Sequence, residues 1–357
     1  MKITRIIVHN VAVPPTATAI YRLEPGRSMQ DETPLRTVIE VETDEGLIGL
    51  GESRSSAEAL RKGGQPLLGT DPRTFNLRSL PIPQDGAYDI YEMAMYDLVG
   101  KATGLPTCHL LGGPYRHWVS VHYWMGKRTP EESARIAKEG WAKGFKGVKV
   151  KVGHDRPEEA TVDRVVAIRE AVGETFEIVL DANGGYETVE NVRRIARELE
   201  PYDIVMLEDP VHRSQLDAFE ELNGTIPIPL ALHVLTMEAA VQAVKRDLCT
   251  YMNVGYGDMA RFVLACDIVH QVGIPTWHGS AMELGIRDAS YLHACAAAKG
   301  CTLSSDILHH LWEDDLILTP ITIVDGMAEV PMGLGLGVEL DPEAVERYRV
   351  GERWEIE

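Results

Sequence analysis

The chain has 357 residues and a formal charge of −19, from 35 Lys and Arg against 54 Asp and Glu. That excess of acid excludes nucleic acid and anionic membrane as natural partners, because both reward clustered Lys and Arg. A hydrophobic content of 45% can bury a full core, and the length accommodates a barrel of about 250 residues plus one smaller domain.

Cys108, Cys249, Cys266, Cys295 and Cys301 fall at irregular spacings without a CxxC pair, so they read as buried thiols, not as a disulfide framework or a zinc site. The opening MKITRIIVHN lacks the basic-then-apolar order of a signal peptide, and the longest apolar runs are strand-sized. A cytoplasmic, homo-oligomeric protein is expected.

In chain order, residues 2–13, 37–43 and 47–52 alternate apolar and polar side chains, and the last two flank an Asp44-Glu45-Gly46 turn. This pattern predicts an antiparallel hairpin with a third strand beside it. Residues 14–34 are rich in Pro, Gly and Thr and too long for an ordinary connection, which suggests a flap over a site. Within it Tyr21, Arg22 and Arg27 are candidate substrate contacts. Helices are predicted over 57–67 and 88–103, the second ending at Gly104 with Pro106 beyond.

From residue 119 short apolar strands alternate with amphipathic helices. The strands are predicted at 119–125, 147–152, 177–181, 204–208, 229–234, 250–254 and 274–278. Helical periodicity over 160–172 and 187–199 places valines, isoleucines and leucines on one face. Repeated βα units mean a parallel sheet, and seven in succession without a GxGxxG favour a closed barrel over an open dinucleotide-binding sheet. The Gly-rich segment 325–340 is strand-like and is expected to return to the N-terminal part.

Ligand sites of parallel barrels lie at the C-terminal strand ends, so polar residues there are the candidates. In GVKVKVG, Lys149 and Lys151 share one face and three valines the other. Valines packed on helices would send both ammonium groups inward, where anions must meet them. An edge strand with solvated lysines is the alternative. The next strands end in Asp181 and Glu208, an arrangement suited to a hard divalent cation, or else to helix caps or Lys partners. His233, Asn253 and His278 end the three after that.

These residues and their surroundings resemble the enolase superfamily, in its mandelate racemase, muconate lactonizing enzyme and glucarate dehydratase branches. The resemblance rests on VETDEGLIGLGE, YDLVGKATGLPTCHLLGG, KVKVG, LDANGGY, LEDP, MELGI and GLGVELD. It implies a (β/α)7β barrel, residues 113–324, under an α+β capping domain of residues 1–112 completed by 325–357. It also implies that Lys151 is a base, Lys149 its electrostatic partner, and Asp181 and Glu208 metal ligands. Two places depart from the pattern. His233 stands where Asp, Glu or Asn is usual as third ligand, so the expected Mg2+ could give way to Mn2+ or another divalent ion. Asn253 stands where a Lys base, or an Asp that orients a His base, is usual. His278 falls one residue before the mandelate racemase base, and Glu283 is the better-aligned acid.

The implied chemistry is removal of the α-proton of a small carboxylate substrate through an enediolate. Dehydration of a sugar acid is favoured by LALHVL, LEDP and SSDILHHLWEDD. Racemisation, epimerisation and cycloisomerisation remain alternatives, as does a ligand-binding protein that keeps the fold without the chemistry.

Overall fold

The computed structural model describes residues 1–22, 33–255 and 257–357. Arg27 and the rest of residues 23–32 of the predicted flap lie outside the described residues.

The alternating N-terminal segments form β1 (Ile3–Val11), β2 (Arg36–Thr43) and β3 (Ile48–Ser53), joined as antiparallel neighbours. The tight turn between β2 and β3 uses Gly46 at φ +78, a conformation that costs glycine least. Against this sheet pack α1 (Ala57–Gly64) and α2 (Tyr88–Thr103). α2 comes so close that a Cβ at Gly49 would lie 2.4 Å from the Ala94 carbonyl oxygen. The last strand, Trp354–Ile356 (β14), adds to the free edge of β1 with Ile6 opposite Ile356.

After the short α3 (Thr107–Leu110) and β4 (Trp118–Ser120), seven parallel strands follow in sequence order. They are β5 (Tyr123–Met125), β6 (Gly147–Lys151), β7 (Glu177–Asp181), β8 (Met206–Glu208), β9 (Leu230–Val234), β10 (Tyr251–Val254) and β11 (Thr276–His278). Each is followed by a helix: α4 (Pro130–Ala142), α5 (Thr161–Val172), α6 (Val189–Leu199), α7 (Leu216–Leu222), α8 (Met237–Lys245), α9 (Met259–His270) and α10 (Gly285–Ala297). Thr129, Thr188, Thr236 and Asp258 accept backbone N–H groups at four of the helix starts, fixing where each loop gives way to helix. Residues 301–306 close the ring. Cys301 pairs in parallel with Thr276, and Ser305 with Val121, so this segment serves as the eighth staff. The expected (β/α)7β barrel is what the chain forms. Val148, Val150 and Val152 are fully buried against the helices, while Val179, Met206, Ala231 and Trp277 fill the barrel's inner layer.

Two predicted strands are drawn differently. Residues 119–125 are two strands, because the chain changes partner there: β5 joins the barrel, whereas β4 pairs antiparallel with β13 (Met327–Glu329), itself in a hairpin with β12 (Ile323–Val324). Residues 325–340 are therefore no single strand. Their later part turns at Gly335 and Gly337, both at positive φ, and α11 (Pro342–Tyr348) precedes β14.

Buried carboxylates bind the N-terminal layer to the barrel. Glu52 accepts the backbone N–H groups of Leu284 and Arg287 at the start of α10, at 2.8 and 2.9 Å. Glu92 does the same for Met259 and Ala260 at the start of α9, at 2.8 and 3.1 Å. Each negative charge meets the positive end of a helix dipole and orphan donors together. Among the described residues no helix is long and apolar enough to cross a membrane.

Burial lowers the pKa of His122 and His293 to about 4 and that of His310 to about 3. The unfolded chain takes up these protons near pH 6.5, the folded one only well below, so the unfolded state binds more protons between the two values. His309 opposes this, since hydrogen bonding to Asp288 outweighs burial and raises its value, and so do buried acids such as Glu92 and Glu52, the latter pushed up to about 7, which the folded chain protonates before the unfolded one. The three lowered histidines should therefore each withdraw stability as pH drops from about 6.5 towards 4. Urea unfolding of wild type and His310→Gln at pH 7.5, 6.0 and 5.0 checks this: the variant should lose less on acidification than wild type, and an equal change in both would contradict it.

Candidate active site

The parallel register puts alternate residues of each strand inside the barrel. Lys151 lies beside Asp181, Asp181 beside Glu208, His233 beside Asn253 and Asn253 beside Trp277. Lys149 is one inward step below Lys151. Both lysines point inward, and anions meet both.

The Lys149 ammonium, 2% exposed as a residue, is 2.8 Å from Asp306 Oδ2, 2.8 Å from Glu208 Oε2 and 3.4 Å from Asp181 Oδ2. Burial alone would lower its pKa, but the three carboxylates outweigh it and hold the group well above the usual lysine value. Lys149 is thus a fixed cation. Lys151 Nζ donates to Asp181 Oδ2 at 2.6 Å and to Asn183 Oδ1 at 2.9 Å, and its side chain retains 16% exposure. The Lys151 carbonyl accepts from Arg164 at 2.7 Å, a buried guanidinium on α5 that also holds the Gly126 carbonyl and Ser133 Oγ at 2.9 and 3.0 Å. The backbone under Lys151 is therefore anchored from behind.

Asp181 is buried, which favours its neutral acid, yet the Lys151 and Lys149 ammoniums hold its carboxyl well below the ordinary range. Glu208 moves the other way: burial and the Asp181 charge push it up. Asn253 Nδ2 donates to Glu208 Oε1 at 2.6 Å. His233 stands beside them with Nδ1 at 3.9 Å from Glu208 Oε1. Burial, reinforced by Arg213 and Lys149, lowers His233 to about 3, so the ring is neutral. Among the described residues its Nε2 has no hydrogen-bond partner, and it abuts Gly255, where a Cβ would come within 1.9 Å of that nitrogen. Asp209 accepts the His233 backbone N–H at 3.0 Å through Oδ1 and faces Arg213 at 3.1 Å through Oδ2.

Glu208, Asp209 and His233 offer ligand atoms within 4.8 Å of one another. Asp181 and Glu208 share one ammonium, which marks a place where a cation is stabilised. Two buried carboxylates around a stand-in cation, with a neutral imidazole alongside, fit a divalent ion by donor chemistry.

The other predicted residues are not gathered here. Trp277 takes the inward position on β11, so His278 points outward: its ring stacks on Tyr291 at 3.8 Å and Phe262 at 4.4 Å, and Nδ1 donates to the Gly279 carbonyl. Its expected place facing the substrate is corrected by this parity. Glu283 is buried with its carboxylate 3.6 Å from Arg36 Nε and close to Glu52, at the contact with the N-terminal layer. Tyr21 lies over Lys127, with the ammonium 5.4 Å from its ring centroid. Arg22 pairs with Glu159 at 2.9 Å and the His154 carbonyl at 3.2 Å.

Asp306, Arg213 and Arg164 went unnoticed in the sequence. Asp306 ends a closing segment of Ser and Thr that lacks apolar periodicity, and an isolated arginine reads as solvated. The one available signal was Asp306 in SSDIL, an acid just before an apolar run.

Because Lys149 compensates three buried carboxylates and Lys151 one, Lys149→Met should cost about 3–5 kcal/mol and Lys151→Met distinctly less. Urea unfolding of the two variants measures the difference, and equal losses would refute the hub.

Comparison with known proteins gives consistent findings. The family described as Enolase C-terminal domain-like matches residues 132–344. The chain is similar to D-galactarolactone cycloisomerase of Agrobacterium fabrum, with 26% identity over 90% of this chain and 93% of that protein. It is 30% identical to the hydrophobic dipeptide epimerase of Enterococcus faecalis over 74% of this chain and 80% of the other. The crystal structure of N-succinyl Arg/Lys racemase from Bacillus cereus superimposes with a TM-score of 0.88 over 100% of both chains at 23% identity, a likeness of fold. The named relatives span dehydratases, racemases, epimerases and cycloisomerases.

Proposed function

The chain belongs to the enolase superfamily, and from that premise we propose that it is a one-base enzyme that removes the α-proton of a small 2,3-dihydroxy acid and expels water on the same face. Superfamily members use a divalent metal, typically Mg2+. Asp181 and Glu208 would hold it here, with His233 beside them. When bound, such an ion supplies electrostatic stabilisation of the charge that develops on the substrate carboxylate.

Lys151 is the base. Among the described residues it has a single carboxylate partner, and it is open to the cavity, whereas Lys149 is locked as an ammonium and contributes fixed positive charge. Lys151 takes the α-proton, the Cα–H electrons become the new C=C bond, and the β-hydroxyl leaves with the proton that Lys151 returns. The resulting enol tautomerises to a 2-keto acid. Tyr21, 44% exposed beside the mouth, and Arg22 contribute to substrate choice.

The observation that carries the one-base reading is the wall across the barrel from Lys151. Asn253 ends β10 and Gly279 follows β11 there, while His278 is turned outward onto α9 and α10. Racemisation needs a second acid or base on that side. A one-base cycloisomerase is the second reading, favoured by the similarity to D-galactarolactone cycloisomerase over 90% of the chain.

Acid sugars incubated in D2O test the reading. Lys151→Ala should abolish α-proton exchange, and His278→Gln should keep it within about tenfold, or about 1.4 kcal/mol in barrier. Exchange that survives in Lys151→Ala moves the base elsewhere. Loss in a folded His278→Gln protein would restore a second base.

A further inference from the structure

Arg213 lies in the loop after β8, and its guanidinium reaches back over the strand ends. Nη1 is 3.3 Å from His233 Nδ1, and Nη2 is 3.1 Å from Asp209 Oδ2. A guanidinium only donates, so His233 Nδ1 accepts through its lone pair and the ring proton sits on Nε2. That lone pair and that carboxylate oxygen are donor atoms a cation at the Glu208–Asp209–His233 corner would need. One guanidinium therefore covers two of the three groups. The third, Glu208, is engaged by Asn253 on Oε1 and by Lys149 on Oε2. Arg213 differs from both in being movable: its side chain is 31% exposed, against 3% for Lys149. It can swing into water, and the buried Asp209 carboxylate it leaves is then compensated by the incoming ion.

We propose that Arg213 is a built-in competitor of the metal ion, so that the guanidinium and a divalent cation exclude one another at this corner. The inference rests on the reading that Asp181 and Glu208 hold such an ion. Two effects act together: Arg213 occupies donor atoms, and its charge repels the incoming ion. Ions that gain most from imidazole displace it best, so Mn2+ and Zn2+ compete more successfully than Mg2+. Metal loading is then set by a residue outside the ligand set.

Calorimetric titration with Mn2+ alone, without substrate, tests this on the wild-type protein and on Arg213→Gln, Arg213→Lys and Asp181→Asn. Arg213→Gln should bind Mn2+ about tenfold or more tightly than wild type. Arg213→Lys keeps the charge but loses the fork that spans both acceptors, and should fall between them. Binding by Arg213→Gln where wild type shows none would support the proposal equally. If wild type and Arg213→Gln bind alike and Asp181→Asn does not, Arg213 is only a partner of Asp209 and the inference fails while the metal reading stands. If Asp181→Asn binds as wild type does, or no variant binds, the Asp181–Glu208 reading fails and takes the inference with it.

Discussion

The ammonium of Lys149 is the interaction on which the barrel's interior depends. Asp181, Glu208 and Asp306 come from β7, β8 and the closing segment, and all are buried. Without a common cation their mutual repulsion and desolvation would oppose closure of the ring. With it, β6 is bound through charge to three other staves, including the weakly paired one at residues 301–306. The same ammonium lies close to the place where a substrate carboxylate would gain charge. Stability and chemistry thus draw on one group.

The charges are distributed unevenly around the barrel. β6 to β8 carry both lysines and two of the acids, and the opposite staves present an amide, a glycine and an indole. The helices behind that neutral side are held by the N-terminal layer, through Glu52 at α10 and Glu92 at α9. Burial pushes Glu52 up to about 7, with Glu283 adding to the effect against its backbone donors. Chemistry on one side and anchorage on the other keep the two sets of carboxylates from competing for the same cations.

Much of this was legible in the sequence. GVKVKVG states its parity outright, because valine and lysine cannot exchange faces without burying charge against helices. Asp181 and Glu208 follow from strand ends in the same way. TWH does not state its parity. Trp277 and His278 are both amphipathic, and only pairing with β10 decides that the larger indole fills the interior. The closing segment was invisible for a different reason: its contacts are backbone bridges, which any residue can make. Arg164 and Arg213 act through carbonyls, an imidazole and a carboxylate brought near only by folding, and no local spacing records that. Residues 119–125 read as one strand since a change of partner leaves no mark on alternation.

Gly279 ties the neutral wall to a buried acid. A Cβ at that position would stand 2.5 Å from Asn253 Oδ1 and 2.7 Å from its Nδ2, and Asn253 is in turn committed to Glu208. A basic side chain cannot be added there unless the amide yields, and the amide cannot yield without releasing a buried acid. The two positions are epistatic. A larger residue at position 279 therefore calls for a change at 253 as well, and substitutions at the two positions should not be additive.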